Sequence, residues 1–296
     1  MRKFFFNMIV CSLKLKCRKY PFVEAEPVES TIDQTISDWT EEIRIRKEHA
    51  QDACTHVTPP AWSGSTAHYH CIDSLKILVC SVPKAGCTTA LNVFKTLSKT
   101  AKTSATDGGM RRIWHLREAE YKAKYLNYTK MIFIRHPVER LVSAHRHFFS
   151  RERNVSNPMV QWQSKAVALK EKFREDNSSE SMEPDVTFEE FLRNAVVSHG
   201  NHHWQTYELL CQPCKIPYDV IVKYETYERD LANVLVKYGN LSLEAAKRLI
   251  PHHNISPGQT SAERARIYMK NIPESLLEKF YQVYKNDFDV FNYEFL

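Results

Sequence analysis

Lys84 stands between an apolar run and a pair of threonines in "ILVCSVPKAGCTTALNVFKTL", residues 77–97. Pro83 stiffens the exit from the run, Lys84 supplies a cation, and Ala85-Gly86 let the backbone come close to a ligand. Cys87, Thr88 and Thr89 then open a helix, whose first-turn N–H groups and positive dipole end favour an anion. This is phosphate-holding chemistry. The order rules out the common nucleoside-triphosphate loop, G-x-x-x-x-G-K-[ST], in which Lys comes last. The plain alternative is a tight turn into a capped core helix, with Lys84 in solvent.

A second element, "IFIRHPVERLVSAHR" (132–146), carries matching chemistry. It ends an apolar run in Arg135, turns at Pro137, and brings Ser143 two helical turns later. In open α/β sheets ligands collect beyond the carboxyl ends of the strands, so both elements can face one crevice. Together they suit a molecule with phosphate groups at two ends. Arg140 is set aside for an ion pair with Glu139 or Glu152.

The elements that must position these residues alternate. Strands are expected over 75–81, 130–137 and 218–225, as short β-branched apolar runs. Helices are expected after each phosphate element, over 187–197 behind a Thr187/Glu190 capping box, and through the C-terminal third. The charged, Ser-rich stretch 151–186 reads as a surface loop or insertion. The fold class is therefore α/β, a three-layer sandwich around a mainly parallel sheet. Residues 1–60 read as an N-terminal tail and stalk, with one helix carrying Ile36, Trp39, Ile43 and Ile45 on its apolar side, and residues 61–296 as the catalytic domain.

Net charge says little about partners. Of 41 basic residues, six lie in positions 1–20, where there is no acid, and the remaining 35 face 35 acidic ones. Positions 1–20 also hold an apolar run of about ten residues, too short for a confident membrane span, which needs about 20. It has the length of a signal-peptide core without an A-x-A-like cleavage site, so anchor, signal and plain basic tail are the alternatives. Sequons at Asn127, Asn154, Asn177, Asn240 and Asn254, with eight cysteines, favour the secretory route.

"PKAGCTT" resembles the 5′-phosphosulfate loop of sulfotransferases, and "IRHPVERLVSAHR" resembles their 3′-phosphate motif. The closer resemblance is to the Golgi carbohydrate sulfotransferases typified by chondroitin 4-O-sulfotransferase. Further similar stretches are "HWQTYELLCQPCKIPYDVIVKYET" (203–226) and "YKNDFDVFNY" (284–293), so the resemblance runs over about residues 75–296. It implies the P-loop-like sulfotransferase fold, the donor 3′-phosphoadenosine 5′-phosphosulfate (PAPS), no metal, and a glycan or proteoglycan acceptor, with chondroitin 4-O-sulfation as the leading reaction. It implies that the loop Pro83, Lys84, Ala85, Gly86, Cys87, Thr88 and Thr89 holds the 5′-phosphosulfate, with Lys84 also stabilising the leaving phosphate. Arg135 and Ser143 would take the 3′-phosphate. Departures stand at Thr89-Ala90, where the family has Asn-Trp, at His136, where it has an acid, and at His145, where it has Tyr.

A general base is needed, and His serves near neutral pH. His115 in "RRIWHLREAE" sits where related enzymes carry a base; His203, in the family-like "HWQ", is the second candidate, its plain alternative being a residue packed beside Trp204. His202, His252 and His253 follow, and residues 252–260 could close over the nucleotide. Cys211 and Cys214 form a C-x-x-C that, with His202 and His203, allows a zinc site, but the resemblance and the sequons imply a local disulfide. Cys87 reads as a small packing residue. Arg146, Arg151 and Arg153 are candidates for a basic acceptor track. The resemblance also implies the Golgi lumen, with type II anchoring through the N-terminus as the mode of membrane association. The alternative functions are an inactive glycan- or nucleotide-binding relative and an ATP-dependent phosphotransferase.

Overall fold

The computed structural model describes residues 28–62, 68–100, 109–149, 160–173, 186–198, 201–251 and 260–295. Apolar, β-branched runs form the central strands β2 (Ile77–Ser81), β4 (Thr129–Ile134) and β5 (Val220–Lys223), which pair in parallel. Two further strands, β1 (Tyr69–Ile72) and β3 (Met110–Ile113), complete a five-stranded sheet in the order β3-β1-β2-β4-β5. β1 runs antiparallel to both neighbours. These two are four-residue strands with His or Arg inside them, so no apolar run announces them.

Strand alternation splits the core in two. Leu78, Cys80, Ile132, Ile134 and Ile221 enter one cluster, whereas Ile77, Val79, Met131, Phe133, Val220 and Val222 enter the other. The second cluster is covered by α2 (Cys87–Thr100) and α8 (Tyr227–Gly239), through Ala90, Val93, Phe94, Leu231 and Leu235. Between them in sequence come a short turn α3 (Glu118–Glu120), α4 (Pro137–Phe148), α5 (Val160–Phe173), α6 (Phe188–Ala195) and α7 (Tyr207–Cys211). The chain finishes with α9 (Leu243–Leu249), α10 (Ser261–Met269) and α11 (Glu274–Val290). The Thr187/Glu190 capping box forms at the start of α6. The stretch 151–186 is not all loop: α5 crosses it and buries Ala166 and Leu169.

The segment read as a stalk behaves differently from that expectation. Its helix, α1 (Val28–Cys54), lies on the domain, with Trp39 and Ile43 buried in the cluster under α8, whereas Ile45 is exposed and not part of the apolar face. Arg46 donates to the fully buried Asp230 at 2.6 Å and to the Ile221 carbonyl at 2.9 Å. Cys54 closes a disulfide with Cys214. No helix among the described residues is long and apolar enough to cross a membrane, and the N-terminal apolar run lies outside those residues.

The expected Cys211–Cys214 disulfide does not form. Cys211, at the end of α7, bonds Cys80 on β2, and Cys214 bonds Cys54. Gln212 caps α7 in the left-handed region at φ 48°, which turns the chain and sends the two thiols to opposite partners. Both cysteines are thus spent, which removes them as zinc ligands.

Candidate active site

The phosphate loop leaves β2 at Ser81 and enters α2 at Cys87. Two of its residues have positive φ, Lys84 at 69° and Gly86 at 80°. For Lys84 this costs about 1–2 kcal/mol, a strain typical of residues held for function. Gly86 has no alternative: a Cβ there would stand 2.5 Å from Cε2 of Tyr227. The same ring secures the loop, because the Tyr227 hydroxyl donates to the Gly86 carbonyl at 2.9 Å.

Arg135 follows β4 and is almost fully buried. Its guanidinium donates to Glu139 at 3.3 Å, to the Lys84 carbonyl at 3.2 Å and to the Ser261 hydroxyl, and it stacks 4.1 Å from the Tyr224 ring centre. Its backbone N–H donates to the Tyr207 hydroxyl at 2.8 Å, and that hydroxyl donates to the Arg135 carbonyl at 2.6 Å. Tyr207 is itself set by its N–H, which donates to buried Asp287 at 2.8 Å. Burial pushes the Asp287 carboxyl up to about 7, with nearby Arg140 acting in the opposite direction. Arg140 is not ion-paired with Glu139, which is occupied by Arg135; it is fully buried, lies 4.7 Å from the Tyr207 ring centre and donates to the Gln205 carbonyl.

One cleft of about 340 Å³ unites these parts. It is lined by Pro83, Lys84, Gly86, Cys87, Thr88, Thr89, Arg135, Ser143 and His203, all expected from the sequence. His147 and Tyr224 join them. Both had a signal: His147 is four residues beyond Ser143, on the same helix face, and Tyr224 lies in the family-like "VKYET". Ala85 is fully buried and lies outside the lining. His115 is exposed in the connection after β3 and is not part of the lining either.

The lining contains cations, hydroxyls and imidazoles, and no carboxylate. Such a donor set fits a ligand carrying anions at both ends. Burial, then repulsion from Arg135, holds the Lys84 ammonium down at about 8. Burial raises the Cys87 thiol despite Lys84 beside it, so it stays protonated and is no nucleophile. His203 is more informative. Its backbone N–H and its ring Nδ1 each lie 2.9 Å from Asn201 Oδ1. An amide oxygen only accepts, so Nδ1 carries the proton and Nε2 is the basic nitrogen. Burial, with His202 and Lys84 next, lowers this imidazole to about 3, so it is neutral at neutral pH.

Of the departures from the family motifs, Thr89 lines the cleft and the others lie off it. Ala90 packs in the core, His136 donates from Nε2 to the Glu294 carbonyl at 2.9 Å, and His145 donates to the Val186 carbonyl at 2.7 Å. His252, His253, Arg151, Arg153, Asn154, Asn177, Asn254 and most of the 252–260 loop fall outside the described residues. Among the described residues no group of three His, Cys, Asp or Glu side chains is placed to hold a metal.

The model of the sulfotransferase family matches residues 67–294. Carbohydrate sulfotransferase 11 of Rattus norvegicus is 27% identical over 324 residues, covering 99% of this chain and 86% of its own length. Carbohydrate sulfotransferase 9 of Homo sapiens is 31% identical over 235 residues, 75% of this chain and 52% of its own length. Carbohydrate sulfotransferase 14 of Mus musculus is 30% identical over 235 residues, 75% of this chain and 58% of its own. The chain thus spans little more than half the length of the last two relatives. No solved structure matches it.

Proposed function

The chain belongs to the sulfotransferase family, among the carbohydrate sulfotransferases, and from that membership we propose that it transfers a sulfuryl group from PAPS to a glycan hydroxyl in the cleft at Lys84. The observation that carries the reading is the presence of both phosphate elements and a neutral, oriented His203 in one cleft. PAPS supplies the activated sulfuryl group. Lys84, Thr88, Thr89 and the first-turn N–H groups of α2 hold the 5′ end, and Arg135 and Ser143 hold the 3′-phosphate. Lys84 offsets the negative charge that grows on the bridging oxygen as its bond to sulfur breaks.

His203 takes the part of general base. Its Nε2 accepts the proton of the acceptor hydroxyl while the hydroxyl oxygen bonds to sulfur, and Asn201 receives the Nδ1–H of the imidazolium that results. His115, the other candidate base, is outside the cleft lining. Chondroitin, sulfated at a 4-hydroxyl, is the acceptor we propose, on the strength of the motif resemblance. A lumenal Golgi setting is supported by two disulfides and by exposed sequon residues Asn127 and Asn240.

The test is transfer of labelled sulfate from PAPS to a panel of desulfated glycans, with Lys84→Ala beside the native chain. Incorporation into chondroitin that collapses in the variant is expected. PAPS binding without incorporation into any glycan would point instead to an inactive binding relative.

A further inference from the structure

Arg135 stands just beyond the sheet ladder, which ends at Phe133 against β2 and at Ile134 against β5. Past the ladder its backbone is paired by a single side-chain oxygen. The Tyr207 hydroxyl accepts from the Arg135 N–H at 2.8 Å and donates to the Arg135 carbonyl at 2.6 Å. Those are the two bonds that a facing strand exchanges with a residue. Burial raises the Tyr207 phenol well above its ordinary range, so it stays protonated and can donate.

Tyr207 is held in turn from two helices. Its N–H donates to the Asp287 carboxyl on α11 at 2.8 Å. One turn earlier on α11, the Tyr284 hydroxyl donates to the Trp204 carbonyl, and Arg140 on α4 donates to the Gln205 carbonyl. The Tyr207 ring meets Phe291 edge-on at 5.1 Å and the Arg140 guanidinium at 4.7 Å. Tyr207, Tyr284 and Asp287 are all buried. The hydroxyl is therefore a fixed reference for the end of β4.

The head of Arg135 is arranged differently. Two of its partners, the Lys84 carbonyl and the Ser261 hydroxyl, are neutral oxygens. An ionised phosphate oxygen accepts more strongly than either. An arriving phosphate can take over those N–H groups while the backbone bonds to Tyr207 stay as they are. We propose that Tyr207, held by Asp287, is a positioning residue for the donor's 3′-phosphate: it fixes the Arg135 backbone, so the guanidinium changes partners without losing its place. This role rests on Arg135 reading that phosphate, and it gives donor selectivity to a residue outside the cleft lining.

The experiment is equilibrium binding of adenosine 3′,5′-bisphosphate and of adenosine 5′-phosphate to the full chain and to Tyr207→Phe. That variant keeps the ring and loses only the hydroxyl. The native chain is expected to prefer the bisphosphate by about tenfold or more, the worth of one hydrogen bond to a charged group. In Tyr207→Phe most of that preference should go, with affinity for the monophosphate unchanged. In an Arg135→Ala background the same substitution should change neither affinity, since its effect passes through Arg135. A variant that weakens both ligands alike, or one that keeps the native preference, would overturn the role of Tyr207. Should Tyr207→Phe fail to fold, Asp287→Asn and Asp287→Leu take its place. The Asn amide oxygen still accepts the Tyr207 N–H and should preserve the preference, which Leu should lose; equal preference in the two would overturn the role. A native chain with no preference would remove Arg135 from the 3′-phosphate, and the role of Tyr207 with it. Sulfate transfer from PAPS is measured on the same preparations. Preference lost in the variant, with no transfer by the native chain to any glycan, would sink the transferase reading and leave the positioning role standing.

Discussion

Replacing Lys84 by Met should stabilise the donor-free protein while abolishing donor binding. The ammonium is held at about 8 in place of 10.5, first by burial and then by Arg135. That difference corresponds to about 3 kcal/mol of unfavourable free energy for carrying the charge in the empty cleft, at about 1.4 kcal/mol per pH unit. A methionine keeps the length of the stem and the backbone carbonyl that accepts from Arg135. It loses the contact of Nζ with the Phe148 ring, 5.9 Å away, worth about 0.5–1 kcal/mol. The net gain is then about 2 kcal/mol. It should be read by equilibrium urea denaturation under non-reducing conditions at neutral pH.

The pH dependence gives the prediction a second edge. Between about 8 and 10.5 the unfolded chain still binds the Lys84 proton and the folded one has released it. Native stability therefore rises with pH across that window relative to the variant, by up to about 1.4 kcal/mol per unit. The gap is full below about 8 and closes towards 10.5. PAPS should raise the denaturation midpoint of the native chain and leave that of Lys84→Met unmoved. A variant less stable than the native chain at neutral pH, or one still protected by PAPS, would refute the reasoning.

His203→Ala should lower turnover by about 10²–10⁴-fold with donor affinity kept, whereas His115→Ala should leave turnover near normal; single-turnover sulfate transfer distinguishes them. Asn201→Asp places a carboxylate on the Nδ1 proton and should raise the His203 pKa from about 3, bringing an acid limb into the pH–rate profile at higher pH than in the native chain. Gly86→Ala should weaken PAPS binding in a donor titration, because the left-handed φ costs alanine about 1–2 kcal/mol and the new methyl group displaces Tyr227. Adding Tyr227→Ala should relieve only the clash, since φ is unchanged and the hydroxyl that donates to the Gly86 carbonyl is lost with the ring.

The donor cleft was legible because its parts are local. A β-branched run ending in "VPKAGCTT", and another ending in "IRHP", specify strand, turn and helix within a few residues. What could not be read was long-range. β1 and β3 are short and polar, and their burial comes from neighbours rather than from their own apolarity. The pairing of Cys54 with Cys214 depends on α1 folding back on the domain, which no local pattern records. Nor does spacing reveal that Asn201 fixes the tautomer of His203, a side-chain contact two residues apart in an irregular loop. His115 and His203 differed only in where the fold carried them.

The two disulfides also constrain the order of events as the chain is made. Their partners lie 160 and 131 residues apart, so Cys54 and Cys80 have no native partner until the chain has been made past Cys211 and Cys214, early in its last third. When that third emerges, the short loop between Cys211 and Cys214 closes at the least entropic cost, and it is the wrong pair. Were that pair to close first, reaching the native pairs would require thiol–disulfide exchange, which proceeds through a mixed disulfide. The C-x-x-C is thus a junction where the N-terminal helix and the donor-loop strand are both fastened late. Translation without an oxidant and an isomerase would leave β2, and the loop it presents, without that fastening.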